Sequence, residues 1–71
     1  LWKIECTVLE EHRRPLRQEL KDAGIYHRFI EDVGKYVIFN IYAETKEQST
    51  AVKQLLKKYD AKYFVSENQT L

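Results

Sequence analysis

His12, Arg13, Arg14 and Arg17 crowd the stretch where a turn runs into what reads as a helix. A helix entrance already presents free N–H groups and a partial positive charge, so cations there oppose the dipole. Three arginines against that field make sense where an anion, a phosphate or a carboxylate, binds between them. Against this stand Glu10 and Glu11, close enough to neutralise the turn in solvated ion pairs worth little. Glu19 is two residues from Arg17 and on a helix does not face it. His12 and His27 fall on different elements without metal-ligand spacing; either has general-acid chemistry, but a surface histidine is the commoner case. The single cysteine, Cys6, excludes an internal disulfide and a multi-cysteine metal site, and reads as a buried, inert thiol. No serine has a base partner, and no P-loop or paired-carboxylate arrangement is visible. These residues point away from an enzyme, with no catalytic residue, metal or cofactor assigned.

The elements that must position these groups follow from periodicity. Trp2, Ile4, Cys6 and Val8 alternate with Lys3, Glu5 and Thr7, the pattern of a strand with one buried face. Glu10 to Arg14 reads as a turn. Pro15 suits a first helical turn, Leu16, Leu20 and Ala23 form a narrow apolar stripe, and Gly24 is a left-handed stop. Ile25 to Asp32 and Lys35 to Ala43 read as two strands around a bend in which Gly34 supplies positive φ and Asp32 or Val33 takes part. The near-continuous apolarity of Tyr36 to Tyr42 marks a central strand covered on both faces. Thr45 and Gln48 form a capping box for a second helix bearing Val52, Leu55, Leu56 and Tyr59, with Lys57 and Lys58 at its negative end. Lys62 to Ser66 is the last strand.

That βαββαβ order predicts an α+β, ferredoxin-like sandwich: a four-stranded antiparallel sheet, order 4-1-3-2, with two helices on one face. The helices would cover Trp2, Ile4, Cys6, Val8, Val37, Phe39 and Ile41. The opposite face would carry Tyr36, Ile38, Asn40 and Tyr42 beside Lys3, Glu5 and Thr7. Tyr63 and Val65 are expected to join them, with either Tyr26 and Ile30 or Phe29 according to register; a one-residue slip inverts an edge strand. Aromatic and branched side chains on an uncovered sheet form a patch that monomers seldom leave in water. Tyr36, Ile38, Tyr42 and Tyr63 are therefore the expected interface of a homo-oligomer. The alternative is tyrosine rings lying flat on a partly wet sheet.

With 71 residues, 44% of them hydrophobic, the chain spans one domain, residues 1–71, near the lower size limit for folding alone. Twelve basic and eleven acidic residues are mixed along it, which gives no bulk attraction to DNA or membranes. No apolar run approaches a membrane span and no signal-peptide pattern appears, so a cytoplasmic, reducing setting is expected. Asn68-Gln69-Thr70 matches a glycosylation triplet by chance. A start at Leu1 fits a processed product, an excised domain or an engineered sequence, and a scaffold with no ligand is one reading of a chain with no functional motif and no methionine.

Four resemblances bear on function. Gly34-Lys35-Tyr36-Val37-Ile38-Phe39 is similar to the start of the third-strand signature of RNA-recognition motifs, which stack bases on aromatics of the two central strands. The first strand offers no such aromatic, and single-stranded RNA is a minority expectation. Acylphosphatases cradle phosphate in a glycine-rich turn between first strand and first helix; the turn here has no glycine. Arg14-Pro15-Leu16, Leu20 and Ala23-Gly24-Ile25 resemble the entry of an ACT-type regulatory domain, although the family's glycine after the proline is missing and Tyr26 replaces its asparagine. That resemblance implies a small domain that pairs sheets or edges with a second copy and senses a metabolite, an anion at His12, Arg13, Arg14 and Arg17 being its counterpart here. Glu11-His12-Arg13-Arg14 leading to Leu16, Leu20 and Gly24 is similar to the first helix of dimeric α+β-barrel sugar mutarotases, which would make His12 a proton-transfer residue.

Overall fold

The computed structural model describes residues 1–67, so Asn68-Gln69-Thr70 lies outside them. The chain runs β1 (Trp2–Leu9), a 3-10 turn (Glu10–His12), α1 (Arg13–Asp22), β2 (Tyr26–Val33), β3 (Tyr36–Ala43), α2 (Lys46–Lys58) and β4 (Lys62–Glu67). The strands form one antiparallel sheet in the order β2-β3-β1-β4, with β1 and β3 central. This is the expected ferredoxin-like sandwich.

Alternation in β1 and β3 sends Ile4, Cys6, Val8, Val37, Phe39 and Ile41 under the helices, where each is at most 1% exposed. Leu16 and Leu20 of α1 and Val52 and Leu56 of α2 meet them in one cluster, with Leu55, Tyr59 and Val65 packed at its margin. Each such side chain, fully buried, contributes about 1.5–3 kcal/mol. Ala23 is exposed and Ile25, just past the helix, is buried in the core in its place. Among the described residues no helix covers the second face of β3, which was expected to be covered: Ile38, Asn40 and Tyr42 are half-buried and Tyr36 is exposed.

The ends of both helices are built alike. After α1, Gly24 (φ +70°) bonds from its N–H to the Lys21 carbonyl, and Ile25 N–H reaches the Leu20 carbonyl at 2.9 Å. After α2, Asp60 (φ +54°) bonds to Lys57 and Ala61 N–H to Leu56 at 2.8 Å. Both are Schellman motifs, and only the first uses glycine. Thr45 Oγ1 accepts from Gln48 N–H at 3.0 Å, whereas Gln48 Oε1 accepts from Glu44 N–H at 2.8 Å, one residue before the position a strict capping box uses. The β2–β3 turn consists of Gly34 (φ +63°) and Lys35, so Asp32 and Val33 remain in the strand.

Both edge strands depart from the expected assignment, β4 by its phase and β2 by a bulge. In β4, Val65 pairs with Ile4 and Tyr63 with Cys6, which puts both on the helix side of the sheet. Phe64, opposite Glu5, takes the open face instead. In β2, Tyr26 and Arg28 pair with Tyr42 and Asn40 on the open face and Phe29 pairs with Phe39 on the helix side; a register shift then sets Glu31 against Ile38. Ile30 is the extra residue of that bulge.

Candidate functional site

The arginine cluster divides three ways. The 3-10 turn means that Glu10 and Glu11, not the arginines, occupy the first turn of the helical segment, where acidic groups complement the dipole. Glu10 N–H is bonded to the Lys35 carbonyl at 2.9 Å. His12 turns toward α2: its Nδ1 donates to the Tyr59 carbonyl at 3.1 Å and the two rings lie 5.5 Å apart. A carbonyl only accepts, so the proton is on Nδ1. Arg13 lies 3.7 Å from Glu10 Oε1 and stacks on the Phe29 ring, 4.8 Å from its centroid.

Arg14 and Arg17 remain together. They are joined by Gln18 and Lys21 on the same flank of α1 and by His27 of β2, and the five side chains line an open cleft of about 400 Å³. Spacing of three, four and seven residues makes that a single helix face. His27 Nδ1 donates to the Ile25 carbonyl at 3.1 Å, leaving Nε2 as the ring's other polar atom. The ion pairs among the described residues are Arg13–Glu10 and Lys58–Glu19, so Arg14, Arg17 and Lys21 have no counter-ion there. Of the four residues expected around an anion, the structure brings Arg14 and Arg17 together with Lys21 and His27 one turn along α1; Arg13, Arg14 and Arg17 also border a second open cleft, which they share with Glu10 and Glu11.

Glu19 Oε2 accepts from the Tyr59 hydroxyl and from Lys58 Nζ at 3.0 Å, which ties α1 to α2. The Tyr59 bond, then the Lys58 bond, hold the Glu19 carboxyl below its usual range. The same bonds to Glu19 raise Lys58 and Tyr59. Cys6 is buried beside Phe39, and desolvation pushes its thiol up to about 11. That fits the inert thiol.

The open sheet face reads in rows across β2, β3, β1 and β4. Tyr26, Tyr42, Lys3 and Ser66 form the first; Arg28, Asn40, Glu5 and Phe64 the second; Glu31, Ile38, Thr7 and Lys62 the third. Val33, Tyr36 and Leu9 close it. Of the four expected interface residues, Tyr36, Ile38 and Tyr42 share this face and Tyr63 does not. Phe64, 70% exposed, and Tyr26, 62% exposed, take its place, with Tyr36 at 40%. The Tyr26 and Tyr42 rings lie 5.4 Å apart, tilted by 35°, and Lys35 Nζ sits 5.7 Å over the Tyr36 ring. Asn40 Oδ1, mid-face, is buried without a hydrogen-bond donor among the described residues.

Compared with known protein families, the chain matches no family model, and no curated protein matches it either. Among the described residues no group of three or more His, Cys, Asp or Glu could hold a metal, and no helix is long and apolar enough to cross a membrane.

Proposed function

We propose that this chain is a small, non-enzymatic interaction module that associates with a second copy of itself through its uncovered sheet face. The observation that carries the reading is the exposure of Tyr26, Tyr36 and Phe64 on a face that no helix covers among the described residues. Water is a poor environment for such a patch, and a two-fold interface hides it on both copies at once. Charges of both signs share the face: Lys3, Arg28 and Lys62 with Glu5 and Glu31. A surface so mixed complements itself better than it complements a strongly charged partner such as RNA.

Size limits the affinity. Four strands about 4.8 Å apart, three of eight residues and β4 of six, at about 3.3 Å per residue give a footprint of roughly 480 Å², against about 800 Å² per partner in a standard interface. A footprint this small is at the low end of specific interfaces, so association is expected to need high protein concentration. Replacing Phe64 or Tyr36 by serine should lower the weight-average mass at high concentration and leave the monomer folded. Unchanged mass would remove this face from the account.

The unpaired cations of the α1 cleft support a second activity at the same module, binding of a phosphate- or carboxylate-bearing metabolite by Arg14, Arg17, Lys21 and His27. That is the regulatory element of an ACT-like role. The buried Cys6 thiol suits a reducing compartment such as the cytoplasm.

A further inference from the structure

β2 is an edge strand eight residues long, with β3 on one side and no strand on the other among the described residues, so alternate N–H and C=O groups along its outer side have no strand partner there. Edges usually carry charges that repel a second strand. Here the charges follow a different rule. Tyr26-His27-Arg28-Phe29 reads apolar, basic, basic, apolar; Ile30-Glu31-Asp32-Val33 reads apolar, acidic, acidic, apolar. Reversed, each half complements the other.

We infer that β2 pairs antiparallel with β2 of a second copy, about a two-fold axis between Phe29 and Ile30. Arg28 then meets the partner's Glu31, His27 the partner's Asp32, Tyr26 the partner's Val33 and Phe29 the partner's Ile30. This rests on the self-association reading above but assigns a different surface to it, and it joins two sheets into one of eight strands.

In a regular strand this pairing is forbidden. Antiparallel partners must point to the same face, and residues three apart, such as Arg28 and Glu31, point to opposite faces. The bulge removes the obstacle. Across it, Arg28 and Glu31 lie opposite Asn40 and Ile38, both on the open face; Tyr26 and Val33 lie opposite Tyr42 and Tyr36, also open; His27 and Asp32 lie opposite Ile41 and Val37, both on the helix side. Each of these three pairs therefore shares a face. The sideways direction of the backbone groups alternates in step with the faces, so matched faces also bring matched N–H and C=O groups together.

Charge fixes the register as well as the partner. A parallel pairing sets Arg28 against Arg28 and Glu31 against Glu31, and a two-residue slip in either direction leaves both ion pairs unmade. Phe29 and Ile30, 43% and 44% exposed, supply apolar contact at the axis. On the helix side, His27 is a wall of the cleft with Arg14, Arg17 and Lys21. Antiparallel pairing brings the partner's Asp32 to His27, and with it a carboxylate to the cleft whose cations have no counter-ion within one copy.

The test is sedimentation equilibrium on the wild type, R28E, E31R and the double variant R28E/E31R, with circular dichroism to verify the fold. Arg28 and Glu31 are exposed and make no ion pair within the described residues, so all four proteins should fold. Each single variant should raise the dimer dissociation constant about tenfold or more, because like charges then meet twice per dimer. The double variant should restore association to within about threefold of the wild type. Single variants that associate as well as the wild type, or a double variant that stays as weak as the singles, would overturn the pairing. If Phe64→Ser abolishes association while the charge variants do not, the edge proposal fails and the sheet-face reading stands. A wild type that remains monomeric overturns both.

Discussion

Among the described residues Asp60 alone is a non-glycine residue with positive φ. It closes α2 at φ +54°, a region that costs an L-residue roughly 1–2 kcal/mol, less for Asp and Asn, and it sets a carboxylate at the negative end of the helix. No side-chain hydrogen bond or ion pair among the described residues offsets either effect, and Asp60 is exposed. Asp60→Asn removes the charge and keeps tolerance of the left-handed region, and should stabilise by about 0.3–1 kcal/mol. Asp60→Gly relieves both and should give about 1–1.5 kcal/mol after the greater chain entropy of glycine is subtracted. For a domain of this size that is a rise in Tm of about 5–10 °C. The α1 motif is the internal control. A Cβ built on Gly24 meets nothing within 4 Å, so Gly24→Asp tests conformation and charge without a clash, and should lower Tm by a similar amount. Thermal melts followed at 222 nm in dilute solution measure all three. No gain on Asp60→Gly would refute the reasoning.

Two further outcomes are expected. The Glu19 carboxyl is held below its usual value by Tyr59 and Lys58, so its stabilisation is present above the ordinary glutamate range and fades as acid takes the pH through the lowered value. Tyr59 and Lys58 are raised, so their share persists up to their ordinary values and fades as alkali takes the pH through the raised ones. Glu19→Gln should therefore lower stability across neutral pH and converge with the wild type only once the pH has fallen below that lowered value; a pH-independent difference in urea melts would contradict this. Inorganic phosphate titrated into a dilute sample should shift the amide resonances of Arg14 to Lys21 and of His27 together, and Arg14→Ala with Arg17→Ala should abolish the shifts. Shifts confined to His12 and Arg13, or none, would remove the cleft as an anion site.

Much of the fold was legible because β1 alternates cleanly and β3 is a β-prone run, although its near-continuous apolarity hid that, of Tyr36 to Tyr42, only Val37, Phe39 and Ile41 lie under the helices. Six of the seven residues expected under the helices are almost fully buried, and Trp2, at the sheet's end, is half-buried. The phase of β4 was not legible, because Tyr63, Phe64 and Val65 are all apolar and either phase satisfies the pattern. What decides it is the left-handed turn at Asp60, and aspartate there gives no signal comparable to glycine. β2 conceals its phase differently: the bulge at Ile30 resets the alternation halfway, so no single period describes the strand. The cation site was half legible. Arg14 and Arg17 are neighbours in sequence, but Lys21 joins them only once α1 is seen to be continuous from Arg13, and His27 only once β2 lies beside it. The Glu19–Tyr59 tie spans forty positions and leaves no local trace.

The direct test of self-association is sedimentation equilibrium of the wild-type chain from low micromolar to about 1 mM, since an interface this small is populated only toward the upper end. The weight-average mass should climb from the 8.5 kDa of the chain toward at least twice that value. A mass that holds at 8.5 kDa throughout would contradict the account.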